Sequence, residues 1–217
     1  AVCDAVTRVV NGEDLRAFCL VRPPGHHALR DDSMGFCLFN NIAVASRLAI
    51  SELGLDKVLI VDWDVHHGNG TQDAFYEDGS VYYLSLHQSP HYPGTGSAEE
   101  RGVGEGKGTT RNVPLAPGTS REEYRETFSK VLEEAFDTLS GAWDHPGLLH
   151  MYIHLMEMSP HPERALRHGD RLSALVPDAG HLLHMPTHID GLCGDDLYVV
   201  SRNRAASVAD REWVGGG

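Results

Sequence analysis

The sequence predicts an α/β core, a partial parallel sheet with crossover helices, followed by an all-α tail of helical hairpins. Three observations carry that reading. Short apolar runs of buried-strand type alternate with a helical pattern in the first half. Beyond about residue 139 strand-like runs vanish, and eight of the 14 histidines fall there. The 217 residues fit one ordinary domain, or one domain with a short module, and a chain this long buries roughly 70% of its unfolded surface.

The chain opens inside a helix-like stretch. Residues 17–21 (AFCLV), 57–62 (KVLIVD) and 81–86 (VYYLSL) predict three strands of the parallel, doubly covered type. Between the first two, residues 41–53 place apolar side chains at helical spacing, with Gly54 as a stop. Residues 93–108 have turn chemistry throughout and the length of a functional loop. Ser120 starts another helix, and Glu123 completes a capping box. In the tail, 150–158, 162–175, 180–193 and 197–210 read as helices separated by Gly, Pro and Asp breaks. The joint at Ser140-Gly141 divides the chain into a core over 1–138 and a helical, repeat-like tail over 139–217.

Eighteen basic against 31 acidic residues leave a net charge of −13 with no basic stripe. That excludes a nucleic-acid surface built on phosphate neutralisation, while an acidic field attracts cationic substrates. The absence of a long apolar run or a charged-then-apolar leader predicts neither a membrane span nor a signal peptide. Cys3, Cys19, Cys37 and Cys193 lack CxxC spacing, as reduced thiols in a cytoplasmic protein would.

The chemistry concentrates at predicted strand exits, where α/β proteins bind ligands. After KVLIV comes Asp62-Trp63-Asp64-Val65-His66-His67-Gly68-Asn69-Gly70. In extended geometry Asp62, Asp64 and His66 share one face, and carboxylate and imidazole two apart converge on a divalent metal such as Zn²⁺. The competing reading is a strand end whose acids cap the next helix. Arg22-Pro23-Pro24-Gly25-His26-His27 follows AFCLV, and its tandem histidines suit a general base and partner beside a metal-bound water. Its competitor is a polar loop with incidental histidines.

In order along the chain stand RPPGHHA (22–28), Gly35-Phe36-Cys37-Leu38-Phe39-Asn40-Asn41, VDWDVHHGNGTQ (61–72), Ser85-Leu86-His87 and Tyr92-Pro93-Gly94-Thr95-Gly96. Together they closely resemble the zinc-dependent histone deacetylase and acetylpolyamine amidohydrolase family, nearest its class II-like members. The resemblance spans about residues 1–137 and implies an incomplete arginase–deacetylase-type fold that hydrolyses an N-acetylated lysine or amine. It implies Asp64 and His66 as zinc ligands, His27 as general base, His26 as its partner, Asp62 orienting His26, and Asn69 behind His27. It also implies Phe36 and Tyr92 as walls of an acyl-lysine tunnel, with Gly35 meeting the substrate amide. Ser85 and Leu86, with the main chain of Asp62, Asp64 and His66, resemble the family's monovalent-cation site, implying K⁺.

The family's third zinc ligand, an aspartate in a downstream Gly-Phe-Asp-Ala-His-like stretch, and its oxyanion-stabilising tyrosine have no matching motif. His188-Ile189-Asp190-Gly191 is the nearest local imitation of the first, and the closing Gly215-Gly216-Gly217 of the second's glycine loop. The alternative function is therefore a catalytically inactive, deacetylase-like binding or scaffold protein. The tail motifs His145-Pro146-Gly147-Leu148-Leu149-His150, Met158-Ser159-Pro160-His161-Pro162-Glu163-Arg164-Ala165 and His184-Met185-Pro186-Thr187-His188 look like tetratricopeptide-repeat proteins, implying a protein partner or oligomer through the tail. Of two readings for the tail histidines, packing between helices is preferred over a metal cluster, which the one-turn spacing of His150 and His154 would allow.

Other signals fail on their own terms. Lys107 precedes Gly108 instead of Ser or Thr, so the glycine-rich 102–108 is no P-loop. No Gly-x-Ser-x-Gly elbow is present, and Cys37 lies in an apolar run as a buried thiol would.

Overall fold

The protein is represented by a computed structural model that describes residues 1–139 and 145–215, with side chains through Arg211. The predicted joint at Ser140-Gly141 and the closing Gly216 and Gly217 lie outside the described residues. By internal packing the chain divides into two units, Ala1–Thr119 and Ser120–Gly217.

In the first unit β1 (Val58–Asp62), β2 (Val81–Gln88) and β3 (Thr110–Leu115) form a parallel sheet in the order β1-β2-β3. Asp62 lies opposite Ser85, and Ser85 opposite Asn112. The central strand β2 buries every residue from Val81 to His87, which is why it reads as a continuous run rather than an alternating one. Helix α1 (Val2–Val10) packs on α2 (Asn41–Ser51), and α2 packs on β1. Ala43 of α2 joins Ile60, Phe75, Val81 and Tyr83 in a common core. Helix α3 (Asn69–Phe75) is the crossover that returns the chain from β1 to β2. Asn40 caps α2, its side chain accepting from the Ala43 amide at 3.1 Å.

Two sequence expectations need correction here. Residues 17–21 (AFCLV) form no strand, and Phe18 and Leu20 are 87% and 86% exposed. An apolar, β-rich run becomes a strand only if a neighbour supplies ladder partners, and among the described residues β1 pairs with β2 alone. Conversely β3 (TRNVPL) carries too little apolar character to read as a strand, yet β2 offers it a complete edge and buries Thr110, Asn112 and Val113.

The second unit is helical throughout its described residues: α4 (Arg121–Thr138), α5 (Pro146–Glu157), α6 (Leu166–Leu175), α7 (Gly180–His184), α8 (Pro186–Leu192) and α9 (Asp196–Gly215). The Ser120 cap forms as its sequence indicates, accepting from the Glu123 amide at 3.1 Å. The stretch 162–175 begins as a 3-10 turn, Pro162–Ala165, and 180–193 divides at Met185 because Pro186 has no amide to continue the ladder. Leu149, Tyr152, Ile153, Met156, Phe136 and Leu172 are fully buried. The 2%-exposed Asp190 is held by Arg202 Nε at 2.7 Å, so the residue that imitated a zinc ligand is a structural ion-pair partner. His168 is packed against Tyr152, with ring centroids 4.6 Å apart, and its Nδ1 donates to the Arg164 carbonyl at 3.0 Å.

Candidate active site

Strand β1 ends at Asp62, so the extended period-two face proposed for Asp62, Asp64 and His66 does not form. Turns bring these residues together instead. The Asp64 amide donates to Asp62 Oδ1 at 3.2 Å, and the His66 amide to Asp64 Oδ1 at 2.8 Å. The loop is tied to the sheet where the Gln88 amide donates to the Val65 carbonyl at 2.9 Å.

The tandem-histidine loop docks on α3. The amides of Gly70 and Thr71, in the first turn of α3, donate to the His26 carbonyl at 2.9 and 3.1 Å, satisfying donors that a helix start leaves unpaired. Asn41 Nδ2 donates to the carbonyls of Pro23 and Pro24 at 3.1 and 2.6 Å. A Cβ at Gly70 would stand 2.2 Å from the Ala28 carbonyl oxygen, and one at Gly35 2.2 Å from the His27 ring. These glycines let the two loops meet.

Each histidine of the pair then has its own acceptor. His26 Nδ1 lies 2.9 Å from Asp62 Oδ2, and His27 Nδ1 lies 2.8 Å from Asn69 Oδ1. The rings are 4.0 Å apart. Asp62 is held in turn by the Tyr83 hydroxyl, which donates at 3.1 Å. Burial lowers the pKa of His26, but the adjoining Asp62 carboxylate outweighs it and the net shift is upward. Burial and the neighbouring imidazoles of His26 and His66 push His27 downward, against its bond to Asn69. Burial beside Asp62 drives the Tyr83 hydroxyl well up, so it stays a proton donor.

Asp64 and His66 are more open. His66 Nδ1 and Asp64 Oδ1 are 3.0 Å apart, with side chains 35% and 50% exposed. Burial raises the Asp64 carboxyl, but the His66 amide and nearby imidazoles hold it below the usual carboxylate range. An oxygen and an imidazole nitrogen at this separation are donors that zinc accepts. Among the described residues no group of three His, Cys, Asp or Glu gathers to hold a metal. The pair thus fits zinc as two ligands of a larger set.

Gly35 lies against His27, with a positive φ of 57° that suits glycine. Phe36 follows, 94% exposed. Tyr92 stands edge-on to His27 at 5.1 Å and to His66 at 6.0 Å. Ser85 Oγ and Leu86 are buried, and the Ser85 hydroxyl bonds His87 Nδ1 at 2.9 Å. Sequence reasoning missed Tyr83, which reads as one more apolar strand residue. It also missed His91, its ring tilted 4.7 Å from that of His66, and the network in which His67 reaches Thr95 at 2.8 Å and Gln72 at 3.1 Å. Burial and the charge of His87 bring the His67 pKa down to about 4.

A family model described as the histone deacetylase domain matches residues 1–140. The chain belongs to the histone deacetylase family. It is 54% identical over 118 residues to the chloroplastic histone deacetylase 10 of Oryza sativa subsp. japonica, covering 54% of this chain and 27% of that one. A crystal structure of acetylpolyamine aminohydrolase from Burkholderia pseudomallei superposes with a TM-score of 0.58 at 38% identity, covering 61% of this chain and 39% of that one. The HD domain of HDA15 matches with a TM-score of 0.59 at 29% identity, over 98% of this chain and 70% of that one. The chain thus spans about a quarter of the rice relative. The α/β sheet with surrounding helices and a helical C-terminal region is the deacetylase architecture of these neighbours. No described helix is long and apolar enough to cross a membrane.

Proposed function

We propose that this histone deacetylase domain acts in hydrolysing the amide of an N-acetylated lysine or amine, with zinc held by Asp64, His66 and a ligand from beyond the described residues. The observation that carries the reading is the pair of relays, His26 with Asp62 and His27 with Asn69, at the mouth of a parallel sheet. Zinc supplies an acidified water and a Lewis acid for the amide carbonyl.

The chain's own residues handle the protons. With Asn69 Oδ1 accepting from Nδ1, His27 keeps a lone pair on Nε2 and takes a proton there. His26, its Nδ1–H directed at Asp62, favours the charged form and stabilises a proton beside the leaving amine. Gly35, Phe36 and Tyr92 border the acyl stem, and the net negative charge attracts a cationic substrate. Asp62 and Ser85, opposite one another in register, support a K⁺ position among Asp62, Asp64, His66, Ser85 and Leu86.

The relatives, a histone deacetylase and an acetylpolyamine aminohydrolase, support this reading over the inactive scaffold. The family match over 1–140 supports a core near 1–138, leaving 139–217 as a tail that engages a protein partner or a second copy. Four free cysteines support a reducing compartment, the cytoplasm or an organelle such as the rice relative's name indicates.

The test loads the chain with zinc and supplies an acetyl-lysine peptide and an N-acetylated diamine in turn. Hydrolysis that falls about 10²–10⁴-fold in His27→Ala, with zinc content that falls in Asp64→Ala, is the expected result. Zinc content indifferent to Asp64→Ala, together with no turnover of either substrate, overturns the proposal.

A further inference from the structure

His184 at the end of α7 and His188 in α8 lie one helical turn apart, and their Nε2 atoms are 3.1 Å from each other. The other nitrogen of each ring faces an oxygen. His184 Nδ1 is 2.6 Å from Asn203 Oδ1, and His188 Nδ1 is 3.4 Å from Glu157 Oε1. The Asn203 oxygen only accepts, so its hydrogen bond places the His184 proton on Nδ1 and leaves the lone pair on Nε2, while the negative Glu157 carboxylate, near but not hydrogen-bonded, favours the same tautomer in His188. Two lone pairs facing each other at this distance repel unless a cation or a proton lies between them. Two nitrogens bound to one tetrahedral metal at about 2.0–2.1 Å stand roughly 3.3–3.4 Å apart, close to what is seen.

A second observation also calls for positive charge. Glu157 Oε1 is buried without a hydrogen-bond partner, 3.4 Å from Nδ1 of both His154 and His188. A carboxylate behind a ligating imidazole is the usual outer support of a histidine–metal bond.

We propose that His184 and His188 form a two-histidine chelating site for a borderline divalent transition metal of the zinc type, supported from behind by Asn203 and Glu157. This site is separate from Asp64 and His66 and independent of the deacetylase reading. Because no third His, Cys, Asp or Glu joins it among the described residues, water fills the remaining positions and the metal exchanges readily. The His188 side chain is 40% exposed, which gives the ion its entry.

The experiment uses the untagged full chain carrying Asp64→Ala and His66→Ala, so that only a second site reads. Calorimetric titration with Zn²⁺ is expected to show binding that weakens at least tenfold in His184→Gln and in His188→Gln, and about tenfold in Glu157→Gln. If a histidine variant fails to fold, side-chain ¹⁵N NMR of the parent protein decides, with zinc expected to shift Nε2 of these two rings. Binding unchanged by either histidine substitution, or zinc-induced shifts confined to other rings, overturns the proposal. So does a parent protein that binds no zinc, in which case a shared proton bridges the two rings.

Discussion

The two loops that build the candidate site are finished to different degrees. On one side His27 is buried and His26 half-buried, their rings tilted 4.0 Å apart, and each is bonded to an acceptor within the fold. On the other side Asp64 and His66 are a third to a half exposed and bonded chiefly to one another. The difference teaches what each half of the chemistry requires. Proton handling needs only pairs of groups whose surroundings push their affinities apart, and the helix start of α3, Asn69 and Tyr83 supply those surroundings within this chain. A metal centre needs several donors at one point, and that convergence is a long-range property.

The comparison can be broken most severely at Gly70. A Cβ there would meet the Ala28 backbone at 2.2 Å, and backbone cannot swing aside as a side chain can. Gly70→Ala is expected to cost about 3 kcal/mol, the upper part of the overpacking range, read as a lower urea midpoint with both histidine relays lost together.

The next largest effect is acid sensitivity of the buried side. His67 is 1% exposed, and burial with the charge of His87 brings its pKa to about 4, below the ordinary histidine value near 6.5. The folded state therefore binds this proton less readily than the unfolded chain. Its contribution is complete above about pH 6.5 and is lost as the pH falls toward 4, on the order of 3 kcal/mol in all. His168 in the second unit, also lowered to about 4 by burial and by Arg167, has the same dependence. His67→Gln is expected to flatten the pH dependence of urea unfolding between pH 6.5 and 4. A slope that the substitution leaves intact would assign the acid lability to other groups.

Smaller still is Tyr83→Phe, which removes the one hydroxyl proton shared between Asp62 and the Gly68 carbonyl, each 3.1 Å away. A loss of about 1–2 kcal/mol by thermal unfolding is expected, with the His26 imidazole resonances shifting in NMR as Asp62 is freed. At the small end, Asp64→Asn is expected to change stability by less than about 0.5 kcal/mol, because exposed pairs contribute little, while reducing zinc retention. A large stability loss from Asp64→Asn would erase the contrast between the two loops.

Much of this was legible locally. The runs KVLIVD and VYYLSL became β1 and β2, Ser120 capped α4, and the tail helices formed close to their apolar patterns. The tandem histidines and the aspartate–histidine loop could be singled out, since both motifs are compact in sequence. What could not be read was the company each element keeps. AFCLV looked as good a strand as KVLIVD, and TRNVPL looked poorer than either. Tyr83 carried no mark of its hydroxyl's role.

By itself, then, the sequence determined the family, the Ser120 cap, two of the three described strands and the identity of the side chains available for proton and metal chemistry. Tertiary structure alone decided that β3 pairs and AFCLV does not, and that the Tyr83 hydroxyl holds Asp62 behind His26. It also brought the nitrogens of His184 and His188 face to face over Glu157 and Asn203. The physical reason is common to all of these. Periodicity and capping are interactions within a few residues, whereas a ladder partner or an acceptor behind an imidazole comes from 19 to 42 positions away in the chain.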